Sequence, residues 1–310
     1  MHPPMIVTTP SEFLSALAVR ERQAGTRDAP TTMAAALLVH PRGFQISGRS
    51  VDNVYMTLGP VDGGRAFDQH CALISALERC GLPVLVFPGR PDLEDGVFPN
   101  NAFATRPGRL IVGSMRHPIR QGETRREDIR GFFRDVAGRS IIDLSTRELV
   151  AELTGPLIID HRRSIGYCGM SQRVDAAGCA AMHEAFELAL TYRFELKPDE
   201  YHTNVVMSVL AGRALVIHPG SFADPAVPEA LAQAYPDRVL TLSDEEKRGF
   251  AGNCLALTER DLLLSKTAYD TLRPESRARL ESWGFALHPV DVSEFEKAGG
   301  SVRCMVCEVF

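Results

Sequence analysis

The sequence has no apolar run that approaches the roughly 18 residues needed to cross a bilayer, so no membrane span is predicted. Its first residues, Met1-His2-Pro3-Pro4, lack the basic region and apolar core of a secretory signal. A net charge of -5 and a pI near 6 do not favour nucleic acid or an anionic membrane as a partner. These absences together favour a cytoplasmic protein that acts on a small molecule.

Several ligand-binding motifs are also missing. There is no G-x-G-x-x-G for a dinucleotide and no G-x-x-x-x-G-K for a P-loop. No two histidines stand three or four positions apart, and Cys304-x-x-Cys307 lacks a second C-x-x-C to complete a zinc site. The seven cysteines are odd in number and irregularly spaced, so we expect no disulfide framework and a reducing compartment. No metal and no organic cofactor is expected.

The 310 residues, 45% hydrophobic and 24% charged, are those of a globular chain with a proper core. An amphipathic helix is predicted from Ser11 to about Arg22, followed by a polar run to Pro30. We therefore divide the chain into an N-terminal appendage, residues 1–31, and a single catalytic domain, residues 32–310. The oligomeric state is left open, a homo-oligomer included.

One unit of about fifty residues recurs along the larger part. After a strand at Ala34–His40 and a helix at Gly64–Arg79, the unit is a short strand, a polar loop, a β-hairpin and a helix. The short strands are predicted at Leu82–Phe87, Ser140–Ser145, Tyr192–Lys197, Arg238–Ser243 and Phe285–Val290. The hairpins begin near Asn100, Glu152, Tyr201, Ala251 and Gly299, 48 to 52 residues apart. The last hairpin is cut short, and its partner is predicted to be the strand Ala34–His40. Such a period predicts modules around an axis, with the hairpin starts facing one central cleft.

The last hairpin start carries a candidate nucleophile. Gly299-Gly300 precedes a β-branched and sulfur-rich run that reads as a strand, and Cys304 at its mouth is a plausible accessible thiolate. The alternative is that Cys304 is a small buried hydrophobe, as most free cysteines are. On a strand, an offset of three residues would point Cys307 to the opposite face, where it would serve packing.

Two other hairpin starts offer partners for this cysteine. His202 is the best candidate for an acid/base among the nine histidines, and Glu152 enters a buried strand, where a carboxylate must be paired or hold a ligand. Cysteine, histidine and glutamate at one centre suit attack on an electron-poor planar carbon. The sequence context of papain-like enzymes is absent. The residues alone thus indicate a cysteine hydrolase or transferase acting on a small amidine-, urea- or amide-like group.

The run Gly299-Gly300-Ser301-Val302-Arg303-Cys304-Met305 resembles the terminal nucleophile motif of the guanidino-group-modifying superfamily, which includes arginine deiminases, dimethylarginine dimethylaminohydrolases and amidinotransferases. The resemblance implies a five-bladed α/β propeller, the pentein fold, built of pseudo-symmetric ββαβ modules. It is closest to the citrulline-utilisation hydrolases in Phe98–Asn101, Glu152–Gly155 and Tyr201–Val205.

The resemblance also implies roles. Cys304 would be the nucleophile, His202 the general acid/base, and Glu152 the carboxylate that grips the substrate's nitrogens. Arg120 and Arg173 would hold a substrate carboxylate. The remaining substrate-binding positions are Asn100, Asn101 and Asn204.

Two of these positions depart from the deiminase pattern, because deiminases carry aspartates where this chain has Asn101 and Asn204. Two anions suit a guanidinium cation, whereas asparagine suits a neutral ureido group. We therefore predict hydrolysis of citrulline, or of arginine through the same last step, to ornithine, ammonia and carbon dioxide. The covalent intermediate on Cys304 would be of thiouronium or thiocarbamate type. The alternatives are an arginine deiminase or dimethylarginine hydrolase, then an amidinotransferase, and, outside enzymes, a catalytically silent binding propeller.

Overall fold

The computed structural model describes residues 5–23, 30–47, 54–57 and 59–310, which form a mixed α/β structure. The strands are β1 Met5–Val7, β2 Ala35–Val39, β3 Val84–Phe87, β4 Phe103–Arg106, β5 Arg109–Val112, β6 Ser140–Asp143, β7 Leu157–Asp160, β8 Ile165–Met170, β9 Leu190–Glu195, β10 Met207–Leu210, β11 Ala214–Ile217, β12 Val239–Thr241, β13 Leu255–Ala256, β14 Asp261–Ser265, β15 Ala286–Val290 and β16 Cys307–Val309. The strand predicted at Ala34–His40, the five predicted short strands and the two predicted helices occur, with ends within two residues of those expected.

The helices connect and cover these strands. They are α1 Pro10–Gln23, α2 Gly63–Arg79, α3 Pro118–Thr124, α4 Glu127–Gly131, α5 Ala176–Ala185, α6 Thr203–Val206, α7 Ala226–Gln233, α8 Asp244–Arg248, α9 Lys266–Thr271, α10 Pro274–Ser282, α11 Ser293–Glu296 and α12 Val302–Met305. Short 3-10 turns lie at Pro99–Asn101, Leu144–Thr146, Pro219–Ser221 and Ala251–Asn253, and one π turn at Phe132–Val136. Among the described residues, no helix has the length and apolarity of a membrane span.

The strands form five separate sheets of one design. In each, an antiparallel hairpin is joined by a third strand that runs parallel to the hairpin's second strand. The sheets are β4-β5-β6, β7-β8-β9, β10-β11-β12, β13-β14-β15 and β16-β2-β3. The last one confirms the predicted partner of the truncated hairpin, because β16 pairs antiparallel with β2. The fifty-residue repeat is therefore a repeat of one ββαβ module.

Helix α2 illustrates how a helix of these modules is stabilised: a polar side chain caps its first turn, and its apolar face is buried. In α2, the Asp62 side chain accepts a hydrogen bond from Arg65 N at 3.0 Å, which caps the helix start. Leu73 and Leu77, one turn apart, are fully buried in the core beneath the helix. Burial of each leucine contributes about 1.5 to 3 kcal/mol. The helix ends at Cys80, and Gly81 with φ of +81° turns the chain toward β3.

The N-terminal segment extends one of the sheets. Strand β1 pairs parallel with β9, so that sheet has four strands in the order β1-β9-β8-β7. On α1, Phe13 is fully buried and stacks on Tyr192, with ring centroids 4.6 Å apart. Residues 5–23 thus share a core with the module they cover. Residues 1–4 and 24–29 of the predicted appendage lie outside the described part, and its boundary at residue 31 stays a prediction.

The strand predicted through Cys304 is wrong. Residues 302–305 form the helical turn α12, in which Cys304 N and Met305 N both donate to Ser301 O, and β16 begins only at Cys307. Cys304 is also less accessible than expected, since only 3% of it is exposed. Cys307 is buried in the core between β2 and β5, which agrees with its predicted packing role.

Candidate active site

A short turn precedes the first strand of each hairpin, and these turns meet at the centre of the molecule. They comprise Pro99–Asn101, residues 152–155, α6, Ala251–Asn253 and α12. The α12 turn contacts both Pro99–Asn101 and Ala251–Asn253, and α6 also contacts Ala251–Asn253. The predicted convergence of hairpin starts is thereby realised.

Close packing at this centre depends on glycine. A Cβ on Gly155 would lie 2.6 Å from Asn101 Nδ2 and 2.6 Å from His202 Nε2. Such distances are far below van der Waals contact, so any side chain here would displace two site residues. Leu153, two residues earlier, adopts the uncommon φ of +38° as the chain makes this turn.

Cys304 lies between two asparagines. Asn253 Nδ2 is 3.4 Å from the sulfur and Asn204 Oδ1 is 3.9 Å from it. Burial raises the pKa of the Cys304 thiol, although the hydrogen bonds from its backbone surroundings and from Asn253 oppose the rise. The resting thiol is therefore protonated near neutral pH, and it must lose its proton before it can act as a nucleophile.

His202 is oriented by a buried carboxylate. Its Nε2 lies 3.0 Å from Glu152 Oε2, so Nε2 carries the proton that is donated to Glu152. Among the described residues Nδ1 has no hydrogen-bond partner, which leaves a ring lone pair for proton transfer. Burial lowers the pKa of His202 to about 4 even though Glu152 opposes this, so the imidazole is neutral at neutral pH.

Glu152 has no exposed surface, and both of its oxygens are engaged. Arg173 Nη1 donates to them at 3.0 and 3.2 Å, and Arg116 N donates to Oε1 at 3.3 Å. Burial alone would raise the pKa of Glu152, but Arg173, His202 and Arg120 outweigh it and hold the pKa well below its usual range. Glu152 is thus an anion that orients His202, and its predicted grip on the substrate's nitrogens stays a prediction.

Arg120 and Arg173, the two predicted arginines, are both in the site and both paired. Arg120 donates twice to the buried Glu123, each time at 2.8 Å, and its Nη1 lies 3.4 Å from Asn101 Oδ1. It also lies 3.9 Å from Asp95 and 3.9 Å from Glu152. Arg173 is held by Glu152 as described. The binding of a substrate carboxylate by these arginines remains a prediction.

These groups surround a small pocket that opens to solvent. It is lined by Asp95, Phe98, Asn101, Arg120, Arg173, Tyr201, His202, Ala298, Gly300 and Cys304. Asn204, predicted to bind substrate, is not in the lining, although its Oδ1 lies 3.9 Å from the sulfur of Cys304. Asn100 is not in the lining: its backbone oxygen accepts a hydrogen bond from Thr154 Oγ1 at 3.1 Å, beside the pocket.

The sequence analysis assigned no role to three polar residues that the structure places here. Asp95 lines the pocket, Glu123 pairs with Arg120, and Asn253 bridges two turns. Asn253 Nδ2 donates to Asn204 O at 2.8 Å, and its Oδ1 accepts from Arg303 N at 3.1 Å. The only signal in the sequence was the position of Asn253 at the fourth hairpin start.

We expect Asn253→Asp to raise the pKa of the Cys304 thiol. The aspartate can still accept from Arg303 N, but it replaces an N–H donor beside the sulfur by a negative charge. Loss of a hydrogen bond to a charged group corresponds to about 1 to 2 pH units. The measurement is the alkylation rate of Cys304 by chloroacetamidine as a function of pH, which should move to higher pH.

Asn253→Ala is the matched control, since it removes the donor without adding charge and should give a smaller shift. An unchanged pH profile in Asn253→Asp would show that Asn253 does not influence the sulfur.

Comparison with known proteins adds a family and a fold. Residues 61–310 match the family described as N,N dimethylarginine dimethylhydrolase, eukaryotic. The chain is 26% identical over 244 residues to the uncharacterized protein YkgA of Bacillus subtilis, covering 77% of this chain and 78% of YkgA. It is 25% identical over 250 residues to the N(G),N(G)-dimethylarginine dimethylaminohydrolase of Pseudomonas aeruginosa, covering 80% of this chain and 90% of that protein.

A solved structure gives the same architecture. The N-terminal domain of ArgZ, a cyanobacterial arginine dihydrolase crystallised with substrate, superposes with a TM-score of 0.78 and 19% identity. The superposition covers 89% of this chain and 97% of that domain. The predicted pentein fold, five α/β modules rather than one closed sheet, is confirmed.

Proposed function

The chain belongs to the N,N-dimethylarginine dimethylhydrolase family, and from this we propose that it hydrolyses the ureido group of citrulline, or of arginine by way of citrulline. Members of this family are hydrolases of non-peptide C–N bonds, and the chain is accordingly a hydrolase of guanidino-type groups. The finer proposal concerns which group is cleaved and how far the reaction proceeds. The products would be ornithine, ammonia and carbon dioxide.

The observation that carries this proposal is that the side chains within hydrogen-bonding distance of the sulfur are neutral amides. The polar side chains at Cys304 are the amides of Asn204 and Asn253, and the amide of Asn101 lines the same pocket. A ureido carbonyl is an acceptor flanked by N–H donors, and a carboxamide can both donate to it and accept from it. Asn101 Nδ2 is buried and has no partner within the described residues, so it is available for such an acceptor.

The chemistry follows from the protonation states. The thiol of Cys304 passes its proton to Nδ1 of His202 as the substrate binds, and the thiolate adds to the ureido carbon. His202 delivers a proton to the departing ammonia, which leaves a thiocarbamate on the sulfur. The histidine then accepts a proton from water, and the hydroxide displaces the thiolate. The released carbamate breaks down to the free amine and carbon dioxide. Arginine would enter one stage earlier, through a thiouronium that water converts to citrulline.

Product analysis by mass spectrometry with citrulline, arginine and dimethylarginine in parallel tests the proposal. We expect ornithine from citrulline and from arginine, with one carbon dioxide for each ornithine. Citrulline that accumulates from arginine with no ornithine formed would contradict the proposal and identify a deiminase. Ornithine formed from arginine only when an amine acceptor is supplied would identify an amidinotransferase. A silent binding protein would give no product and no selective alkylation of Cys304.

A second candidate, hydrolysis of dimethylarginine to citrulline and dimethylamine, is favoured by Asp95. This carboxylate lines the pocket and could pair with a guanidinium. Burial raises the pKa of Asp95, and the neighbouring Arg120 opposes that rise. The carboxylate of Asp95 already interacts with Arg120, which weakens its attraction for a substrate guanidinium. Dimethylamine as the main product in the same assay would decide for this candidate.

Asn101→Asp should shift the preference toward guanidinium substrates. A carboxylate at this wall of the pocket attracts the cation and repels no charge on a neutral ureido group. We expect the ratio of kcat/KM for arginine to that for citrulline to rise by about tenfold or more, which corresponds to about 1.4 kcal/mol. Steady-state kinetics on both substrates provide the measurement.

The neutral variant Asn101→Ser serves as control. It should lower both kcat/KM values and leave their ratio nearly unchanged. An unchanged ratio in Asn101→Asp would mean that charge at this position does not select the substrate.

We also propose that the reaction takes place in a reducing cellular compartment. All seven cysteines are free in the structure, which supports a reducing compartment such as the cytoplasm.

A further inference from the structure

A second cluster of reactive side chains lies away from the pocket. Cys80 follows the last residue of α2, Asp261 is the first residue of β14, and His288 is the third residue of β15. One ligand atom from each lies within 4.8 Å of the other two. None of the three lines the pocket around Cys304. We propose that Cys80, Asp261 and His288 form a binding site for Zn²⁺ or a similar borderline divalent cation.

The register of the sheet brings two of the ligands together. Strands β14 and β15 are parallel, and Asp261 pairs with Ala286 while Leu263 pairs with His288. Because side chains alternate along a strand, Asp261 and His288 point to the same face of the sheet. Helix α2 packs against β15 on this face and delivers Cys80 to the pair. The arrangement therefore follows from the module architecture rather than from a flexible surface.

The donor set suits zinc. Thiolate sulfur, imidazole nitrogen and carboxylate oxygen are the usual ligands of Zn²⁺, and a thiolate with a carboxylate neutralises its charge of two. His288 Nε2 and Asp261 Oδ1 are joined by a hydrogen bond of 2.8 Å, which a cation bound between them would replace. Three donors from the protein leave the fourth position of a tetrahedral site to water. The side chains of His288 and Asp261 are 32% and 27% exposed, which admits that water.

A hydrogen bond from Thr258 fixes the orientation of the Asp261 carboxylate. Thr258 Oγ1 donates to Asp261 Oδ2 at 2.5 Å, which orients the other oxygen toward His288. Outer-shell hydrogen bonds of this kind are typical of metal ligands and fix their direction. Two positively charged side chains oppose the binding of a metal ion. Arg79 interacts electrostatically with Cys80, and Arg260 with Asp261. We therefore expect micromolar rather than nanomolar affinity.

Cobalt provides the direct test, because a Co²⁺–thiolate bond gives a charge-transfer band in the near ultraviolet. The titration uses the full chain in a Cys304→Ser background, so that the active-site sulfur cannot contribute. We expect one Co²⁺ per chain with the thiolate band, displacement of Co²⁺ by Zn²⁺, and release of the thiol proton on binding. Cys80→Ser should abolish the band.

Cys71→Ser is the matched control, since Cys71 lies on the same helix and is also partly exposed. It should leave the band and the affinity unchanged. His288→Gln should weaken Co²⁺ binding by at least about tenfold and, at its part-exposed position, should leave the fold intact. A band that survives both Cys80→Ser and His288→Gln, or the absence of any band in the Cys304→Ser background, overturns the proposal.

Thermal unfolding gives an independent readout. A cation that binds only the folded chain raises Tm as its concentration rises. We expect Zn²⁺ to raise the Tm of the Cys304→Ser chain and to raise that of the Cys304→Ser/His288→Gln chain much less at the same concentration. An equal rise in both chains would also contradict the site.

Discussion

Replacement of Cys304 by serine is expected to lower kcat by about four orders of magnitude or more, with little change in substrate affinity. The hydroxyl of serine is a far weaker acid than a thiol, and the buried site offers it no strong base, because His202 has a pKa of about 4. The change replaces the sulfur by a smaller oxygen and leaves the α12 turn and its hydrogen bonds to Ser301 in place. Turnover assays with calorimetric titration of substrate provide the two measurements.

Cys307→Ser is the control for this prediction, because Cys307 is as buried as Cys304 but is the first residue of β16 and packs in a core cluster outside the pocket. We expect it to lower stability and to leave kcat within a few-fold of the wild type. Retention of more than about one tenth of the activity by Cys304→Ser would exclude covalent catalysis by this sulfur.

Glu152→Gln should damage both stability and catalysis. The substitution keeps the shape but removes the charge that pairs with Arg173 and accepts from His202. A buried cation left without its partner costs about 3 to 5 kcal/mol of unfolding free energy. Loss of the carboxylate also removes the influence that raises the pKa of His202, so the imidazolium needed to protonate ammonia becomes harder to form. We expect kcat to fall by about 10²- to 10⁴-fold.

Glu123→Gln separates the two effects. Glu123 is also buried and pairs with Arg120, but no hydrogen bond joins it to His202 among the described residues. It should lose comparable stability in denaturant titrations and raise KM through Arg120, with a smaller loss of kcat. If Glu152→Gln and Glu123→Gln lower kcat equally, the role assigned to the Glu152–His202 contact is wrong.

The module repeat could be predicted because its determinants are local. Strand alternation, hairpin turn residues and the stop of α2 at Gly81 all act within a few residues, and they predicted the order of the modules, although the first strand of each hairpin begins three to eight residues later than expected. The family resemblance and the spacing of hairpin starts then put Cys304, His202 and Glu152 in one place. In the structure Cys304 and His202 line one pocket and Glu152 contacts His202, while their catalytic roles stay predictions.

The conformation of the Cys304 segment could not be predicted in this way. Val302 and Val306 favour a strand, but Asn253, fifty positions earlier, accepts a hydrogen bond from Arg303 N and holds the helical turn. A hydrogen bond between residues so far apart in the sequence cannot be predicted from a local sequence pattern. The same applies to Asp95 and Glu123, whose significance depends on the folded position of Arg120.

The pairing of β16 with β2 has a consequence for biosynthesis. The fifth sheet joins strands from opposite ends of the sequence, and β2 lacks its antiparallel neighbour until residues 307–309 have been made. A nascent chain therefore carries an open sheet edge at β2, however complete the other four modules are. The fifth sheet, and with it the placement of the Cys304 turn against its neighbouring turns, should form only after residues 307–309 have been made.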